Sequence, residues 1–307
     1  MTDFITLADC GRARLTALID ASAAWKRARP HGPAAWLAGR HVAIVMEKAS
    51  TRTRVSFEVA VRELGGHATI LTSDGTQLGR GEPIEDTARV LSRFAHAIVF
   101  RTFGAERMMR MVGAATVPVV NALSDREHPC QIVADLLTIR ERRGALDGVK
   151  VAWIGDGNNM AVSWLHAAGA LGLELRLACP VGYRPPPHDV ANAQDEGATV
   201  TVTDDPRIAA AGADVVMTDV WASMGQEAEQ AQRARAFAGY CVDDGLLALA
   251  APDAIVLHCL PAHRGEEISA AVLDGPRGAA VWDQAENRLH TAKAILELAL
   301  TGACRGP

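Results

Sequence analysis

Along the chain, short apolar runs alternate with stretches whose apolar residues recur at helical spacing. His41-Val42-Ala43-Ile44-Val45-Met46 is β-branched and apolar, which predicts a buried strand. Val55, Val59 and Leu64, with Phe57 and Ala60 beside them, predict the helix that follows, stopped by Gly65-Gly66. Ahead of this pair, Leu15, Leu18, Ile19 and Ala23 predict a helix over 11–28 that ends before Pro30. Beyond it, strands are predicted at 67–71, 97–101 and 117–121, a helix at 82–94, and an exposed glycine-rich loop at 72–81 bounded by Pro83. The second half repeats the theme, with strands at 149–154, 173–178, 214–220 and 255–260 and helices at 159–171 and 287–300. A helix over 131–143, ended by Gly144, bridges the halves. Strands alternating with helices predict an α/β protein of two doubly wound parallel-sheet domains joined by interdomain helices. The expected domains are 1–143 and 144–286, with a C-terminal helix over 287–307 packing back on the first.

In open parallel sheets, ligands gather beyond the carboxyl ends of the strands, and the unusual polar clusters of this chain fall there. Ser50-Thr51-Arg52-Thr53 sits where a strand hands over to a helix. The first amides of that helix have no intrahelical acceptor, and its dipole favours an anion. The guanidinium groups of Arg52 and Arg54 at the same spot can each hold two phosphate oxygens, so the junction predicts a phosphate cradle. The other clusters are Arg101, His128–Gln131, Gly155–Asn159, Asp219–Met224 and His258–Pro261. Their number in two domains suggests one ligand cleft between them. Gly155-Asp156-Gly157 imitates a dinucleotide-binding turn, but Met160 replaces the third glycine and the next strand ends without a ribose-binding acid. NAD is rejected on both counts. His258, Cys259 and His263 fit no common zinc spacing, so no metal and no cofactor is expected.

Charge and composition narrow the partners. The 307 residues carry a net charge of −5, which argues against nucleic acid and makes any anion site local. No apolar run approaches the roughly 18 residues that span a bilayer. Met1-Thr2-Asp3-Phe4 shows no basic region leading into an apolar stretch, and the six cysteines are dispersed. The expectation is a cytoplasmic protein with reduced thiols and no membrane partner.

Ser-Thr-Arg-Thr-Arg after a strand, then His128-Pro129-Cys130-Gln131, Asp219 four residues before Ser223-Met224-Gly225, His258-Cys259-Leu260-Pro261 and Glu286-Asn287-Arg288 together resemble the aspartate/ornithine carbamoyltransferase family over nearly the whole chain. The resemblance implies carbamoyl transfer from carbamoyl phosphate to ornithine, with no covalent enzyme adduct, in a homotrimer or a multiple of trimers. It assigns Ser50, Thr51, Arg52 and Thr53 to the phosphate, and Gln77 to the site of a neighbouring subunit. Thr53, Arg101 and His128 would bond the carbonyl oxygen, and Gln131 the amide nitrogen. Pro129, Cys130, Cys259, Leu260 and Arg288 would complete the carbamoyl-phosphate site. Asn159, Asp219, Ser223 and Met224 would hold ornithine, and Arg101, His128, Asp219 and Cys259 would be the catalytic set. The acidic loop at Asp219 suits a cationic amino acid and would repel aspartate. The stretch 226–239, rich in Ala, Gln and Arg, reads as a flexible loop that closes over the amino acid. Three rivals are weighed: transfer to putrescine or an acylated ornithine, an NAD oxidoreductase, and a binding protein that has lost catalysis.

Overall fold

The computed structural model describes all residues except 30, 31, 33 and 223–226, together with the side chain of 227. Contacts divide the chain into Met1–Ala134 with Glu286–Pro307, and Asp135–Ala285. Sequence reading placed the boundaries at 143/144 and 286/287; both observed divisions fall inside helices.

The first unit opens with α1 (Gly11–Ala28), β1 (His41–Met46), α2 (Thr51–Glu63) and β2 (His67–Thr72). α3 (Ile84–Phe94), β3 (Ala97–Arg101), α4 (Ala105–Ala114) and β4 (Val119–Leu123) follow, then α5 (Pro129–Arg143), which crosses into the second unit. The strands form one parallel sheet in the order β2-β1-β3-β4, as a βαβ pattern requires. β1 and β3 are almost wholly buried, which explains their continuous apolar runs. Ala43, Val45, Ile98, Phe100, Met108 and Met111 pack into a core with Leu78 and Ile84. The exposed loop expected at 72–81 contains two short 3₁₀ turns, Ser73–Gly75 and Gln77–Arg80.

The second unit runs β5 (Lys150–Ile154), α6 (Asn159–Leu171), β6 (Glu174–Ala178), α7 (Pro187–Asp195) and β7 (Thr199–Thr203). It continues with α8 (Pro206–Ala210), β8 (Val215–Thr218), α9 (Gln230–Ala236), α10 (Asp244–Leu247), β9 (Ile255–His258) and α11 (Ala270–Leu273). α12 (Ala279–Thr301) starts here and ends in the first unit. The sheet order is β7-β6-β5-β8-β9, again all parallel. α4, α7, α8, α10, α11 and β7 were not read from the sequence, and the expected loop over 226–239 contains the helix α9.

Among the described residues, no helix is long and apolar enough to cross a membrane. In the first unit, the C-terminal part of α12 lies against the N-terminal segment. There Lys293 Nζ bonds Glu63 at 2.6 Å and Trp25 Nε1 reaches Glu297 at 3.3 Å.

Candidate functional site

The direction of connection reverses between β1 and β3 in the first sheet and between β5 and β8 in the second. At such switch points the loops diverge and leave a crevice at the strand ends. Each crevice collects one set of the residues singled out by sequence.

In the first unit, Ser50 caps α2 in an extended conformation, and its Oγ accepts the Thr53 amide at 3.2 Å. The loop is held from both sides: the Glu47 amide bonds the Arg101 carbonyl at 2.9 Å, and the Glu47 carboxylate binds Thr102 and Arg107. Lys48, buried, reaches Asp125 at 2.5 Å and lies 4.6 Å above the Phe103 ring. Arg101 ends β3, where its register with β4 shifts, and it donates to Thr53 Oγ1 at 3.4 Å. Arg288 donates to Gln131 Oε1 at 2.5 Å and to the same Thr53 oxygen at 3.3 Å. Thr53, Arg101, His128, Gln131 and Arg288 are all buried. Thr51 is exposed and Arg52 half-buried on the first turn of α2.

Pro129 begins α5, and the buried Cys130 thiol donates to the Asn121 carbonyl at 3.2 Å. Burial pushes that thiol up to about 12, so it stays protonated. Gln77 is exposed on its 3₁₀ turn and joins none of these bonds. Glu47 and Lys48 were missed by sequence reasoning; the only hint was two charged residues directly after a buried strand.

Burial, and then the cations Arg288, Arg101 and Arg52, hold the His128 imidazole well below its usual range. The folded chain therefore keeps His128 neutral, while the unfolded chain protonates it near the ordinary value of about 6.5. Below that pH the unfolded state binds more protons, so stability falls as pH drops. Urea midpoints measured from pH 7 down to pH 5 should decline, with up to about 1.4 kcal/mol per pH unit coming from this one group. His128→Gln should flatten the slope, leaving the share from His290, which burial also lowers. An unchanged slope in the variant would contradict a neutral His128.

In the second unit, Asp219 follows β8 and is buried. Its carboxylate accepts the Val220 amide at 2.9 Å, the Cys259 thiol at 3.0 Å and Asn158 Nδ2 at 3.3 Å. Asn158 also caps α6, accepting the Met160 and Ala161 amides with its Oδ1. Asn159, selected from the sequence, opens α6, and its neighbour Asn158 bonds Asp219. Its position immediately before a helix was the available signal. Leu260, next to Cys259, has φ +59, a conformation costly for a bulky side chain. Ser223 and Met224 lie outside the described residues.

His258 Nδ1 accepts the Leu260 amide at 2.8 Å, which puts the ring proton on Nε2, 3.0 Å from Glu267 Oε1. Potential ligand atoms of Asp219, His258 and Cys259 lie within 4.8 Å of one another. Both nitrogens of His258 already serve the loop, so the trio could take a metal only by breaking those bonds.

Gly157, the centre of the dinucleotide-like turn, is needed for chain packing: a Cβ there would meet the Pro185 nitrogen at 2.2 Å. Asp156 instead binds Arg233 of α9 at 2.6 Å. The Arg233 guanidinium also reaches the Trp221 carbonyl at 2.9 Å and Glu229 at 2.9 Å, and it lies 5.0 Å from the Tyr183 ring centre. Burial pushes the Asp156 carboxyl up, and Arg233 counters it. Arg233→Ala strands that carboxylate, so a stability loss of about 3 kcal/mol is expected in urea unfolding. Asp156→Asn combined with Arg233→Ala should recover part of it; no recovery would mean the pair is not what the arginine stabilises.

A family model described as the aspartate/ornithine carbamoyltransferase carbamoyl-P binding domain matches residues 2–141. A second, the Asp/Orn binding domain, matches residues 147–299. An ornithine carbamoyltransferase of Acidothermus cellulolyticus is 65% identical over 268 residues, 86% of each chain. One of Halorhodospira halophila is 52% identical over 309 residues, 98% of this chain and 100% of its own. The solved structure of the Pyrococcus furiosus ornithine carbamoyltransferase superposes with a TM-score of 0.92 at 43% identity, covering 99% of this chain and 98% of that one.

Proposed function

Since this chain belongs to the aspartate/ornithine carbamoyltransferase family and is therefore a transferase, we propose that it joins carbamoyl phosphate to the δ-amine of L-ornithine, giving L-citrulline and phosphate. The observation that carries the reading is the opposite electrostatics of the two strand-end crevices. One gathers the guanidinium groups of Arg101 and Arg288 with a neutral His128, which suits a multiply charged phosphate donor. The other presents a buried carboxylate, Asp219, which suits a cationic amino acid.

In the proposed reaction, the α2 amides, Ser50, Thr51, Arg52 and Thr53 bind the phosphate. Thr53, Arg101 and His128 bond the carbonyl oxygen, and Gln131, set by Arg288, holds the amide nitrogen. The δ-ammonium first gives one proton to water; the free amine then attacks the carbonyl carbon, placing negative charge on that oxygen, and its second proton leaves with the departing phosphate. Collapse of the tetrahedral intermediate releases phosphate, a good leaving group, so no covalent adduct is needed. Asp219 and Cys259 orient the amine, and Asn159, Ser223 and Met224 hold the remainder of the amino acid. Pro129, Cys130 and Leu260 shape the donor site through backbone.

The active form is read as a cytoplasmic homotrimer or multiple of trimers, with Gln77 completing a neighbour's phosphate site. Mixing Gln77→Ala and Arg101→Ala chains into verified mixed trimers should then restore some activity, because one intact site can form between them. No restoration would count against a shared site. The function itself is tested by carbamoyl phosphate assays with ornithine, putrescine, N-acetylornithine and aspartate in separate reactions. Citrulline from ornithine alone supports the reading; product from another amine overturns the acceptor, and no product overturns the activity.

A further inference from the structure

Beyond the donor and acceptor crevices, the turn after Leu260-Pro261 brings together His263, Glu266 and Glu267, whose potential ligand atoms lie within 4.8 Å of one another. Glu267 is fully buried, yet only half of its carboxylate is employed. Oε1 accepts from His258 Nε2 at 3.0 Å and from the His263 amide at 2.6 Å. Oε2 is buried and has no hydrogen-bond partner among the described residues. A buried carboxylate oxygen left without a donor is costly and calls for a cation or proton donor. Two half-exposed groups lie beside it: His263 Nδ1 is 4.0 Å from Glu267 Oε2 and 3.6 Å from Glu266 Oε2.

We propose that His263 Nδ1, Glu266 and Glu267 Oε2 form a binding site for a divalent transition-metal ion of the zinc class. One imidazole and two carboxylates with water as the fourth ligand is a zinc donor set, whereas magnesium favours oxygen ligands in an octahedron. Tetrahedral bonds of about 2.0–2.2 Å place neighbouring ligand atoms roughly 3.3–3.6 Å apart. The present 3.6 and 4.0 Å separations come within that range by small side-chain rotations. The backbone favours the cluster too. Gly265, at φ +90, makes the turn that returns Glu266 toward His263, whose carbonyl accepts the Glu266 amide at 2.9 Å. Arg264, the cation that could otherwise neutralise these acids, is drawn away to Asp274 by bonds of 3.0 and 2.8 Å. Bound metal would hold the second oxygen of the carboxylate whose first oxygen fixes His258.

The test is calorimetric titration of the metal-free protein with Zn²⁺ at neutral pH. Cys259→Ser serves as the background, so that zinc taken up by that thiol is not counted. One zinc per chain should bind in the background, roughly tenfold or more weaker once His263→Ala is added, and similarly weaker with Glu266→Gln. Both substituted side chains are half-exposed, so these variants keep the fold while the buried Glu267 stays in place. The absence of a one-per-chain event in the background, or equal affinity with and without His263, overturns the site.

Discussion

Arg101→Ala is expected to lower kcat for citrulline formation by about 10²–10³-fold while the protein still folds. The side chain ends a fully buried strand, and its guanidinium is fixed against Thr53 Oγ1 at 3.4 Å before any ligand arrives. A donor held in place in this way pays no reorganisation cost as charge develops on the carbonyl oxygen, and one such donor contributes about 2.7–4 kcal/mol to the barrier. The KM for carbamoyl phosphate should rise as well, because in the proposed reaction the guanidinium would also balance phosphate charge in the ground state. Arg101→Lys should restore part of the KM and little of kcat, since an ammonium keeps the charge but not the planar fork. Steady-state kinetics with both substrates varied separates these effects. A kcat within a few-fold of the parent protein for Arg101→Ala would remove Arg101 from the oxyanion set.

Asp219→Asn should act on the other substrate. The carboxylate already accepts three bonds, from Val220, Cys259 and Asn158, and an amide of the same shape preserves much of that geometry. What it loses is the negative charge that the proposed function sets opposite a cationic amino acid. Truncating one partner of a buried charged pair costs about 2–5 kcal/mol, so kcat/KM for ornithine should fall by about 30- to 5,000-fold. The KM for carbamoyl phosphate should barely move. Parallel loss for both substrates would instead mean that the substitution disturbs the fold of the strand-end loop.

These two residues were legible in the sequence for the same reason that the sheets were. Buried parallel strands read as unbroken apolar runs, and a polar or charged residue just past such a run stands out. Arg101, Asp219 and Cys259 occupy that kind of position, and Ser50 stands four residues past the end of β1 where α2 begins. The supports were harder to see. Glu47 meets Arg107 sixty residues later and Lys48 meets Asp125 seventy-seven later, pairings that no local pattern announces. α9 was misread because its polarity suggested a loop, although Ala, Gln and Arg are strong helix formers. α4 and α7 were missed as elements, and β7 alternates Thr and Val at the sheet edge, where the apolar run that marked the other strands is absent.

The Arg233–Asp156 pair sets a limit on redesign of the segment proposed to bind the acceptor. Residues 219–233 are contiguous in the chain, so they look like a cassette that could be exchanged to accept a different amine. Yet the far end of that cassette is keyed to a residue outside it: Arg233 fastens the Trp221 carbonyl and the Asp156 carboxylate with one guanidinium. A graft that ends before position 233, or that brings a donor lacking arginine there, leaves the 155–158 turn without its counter-charge. The portable unit is therefore the loop together with its helix and the turn after β5, inherited or replaced as one.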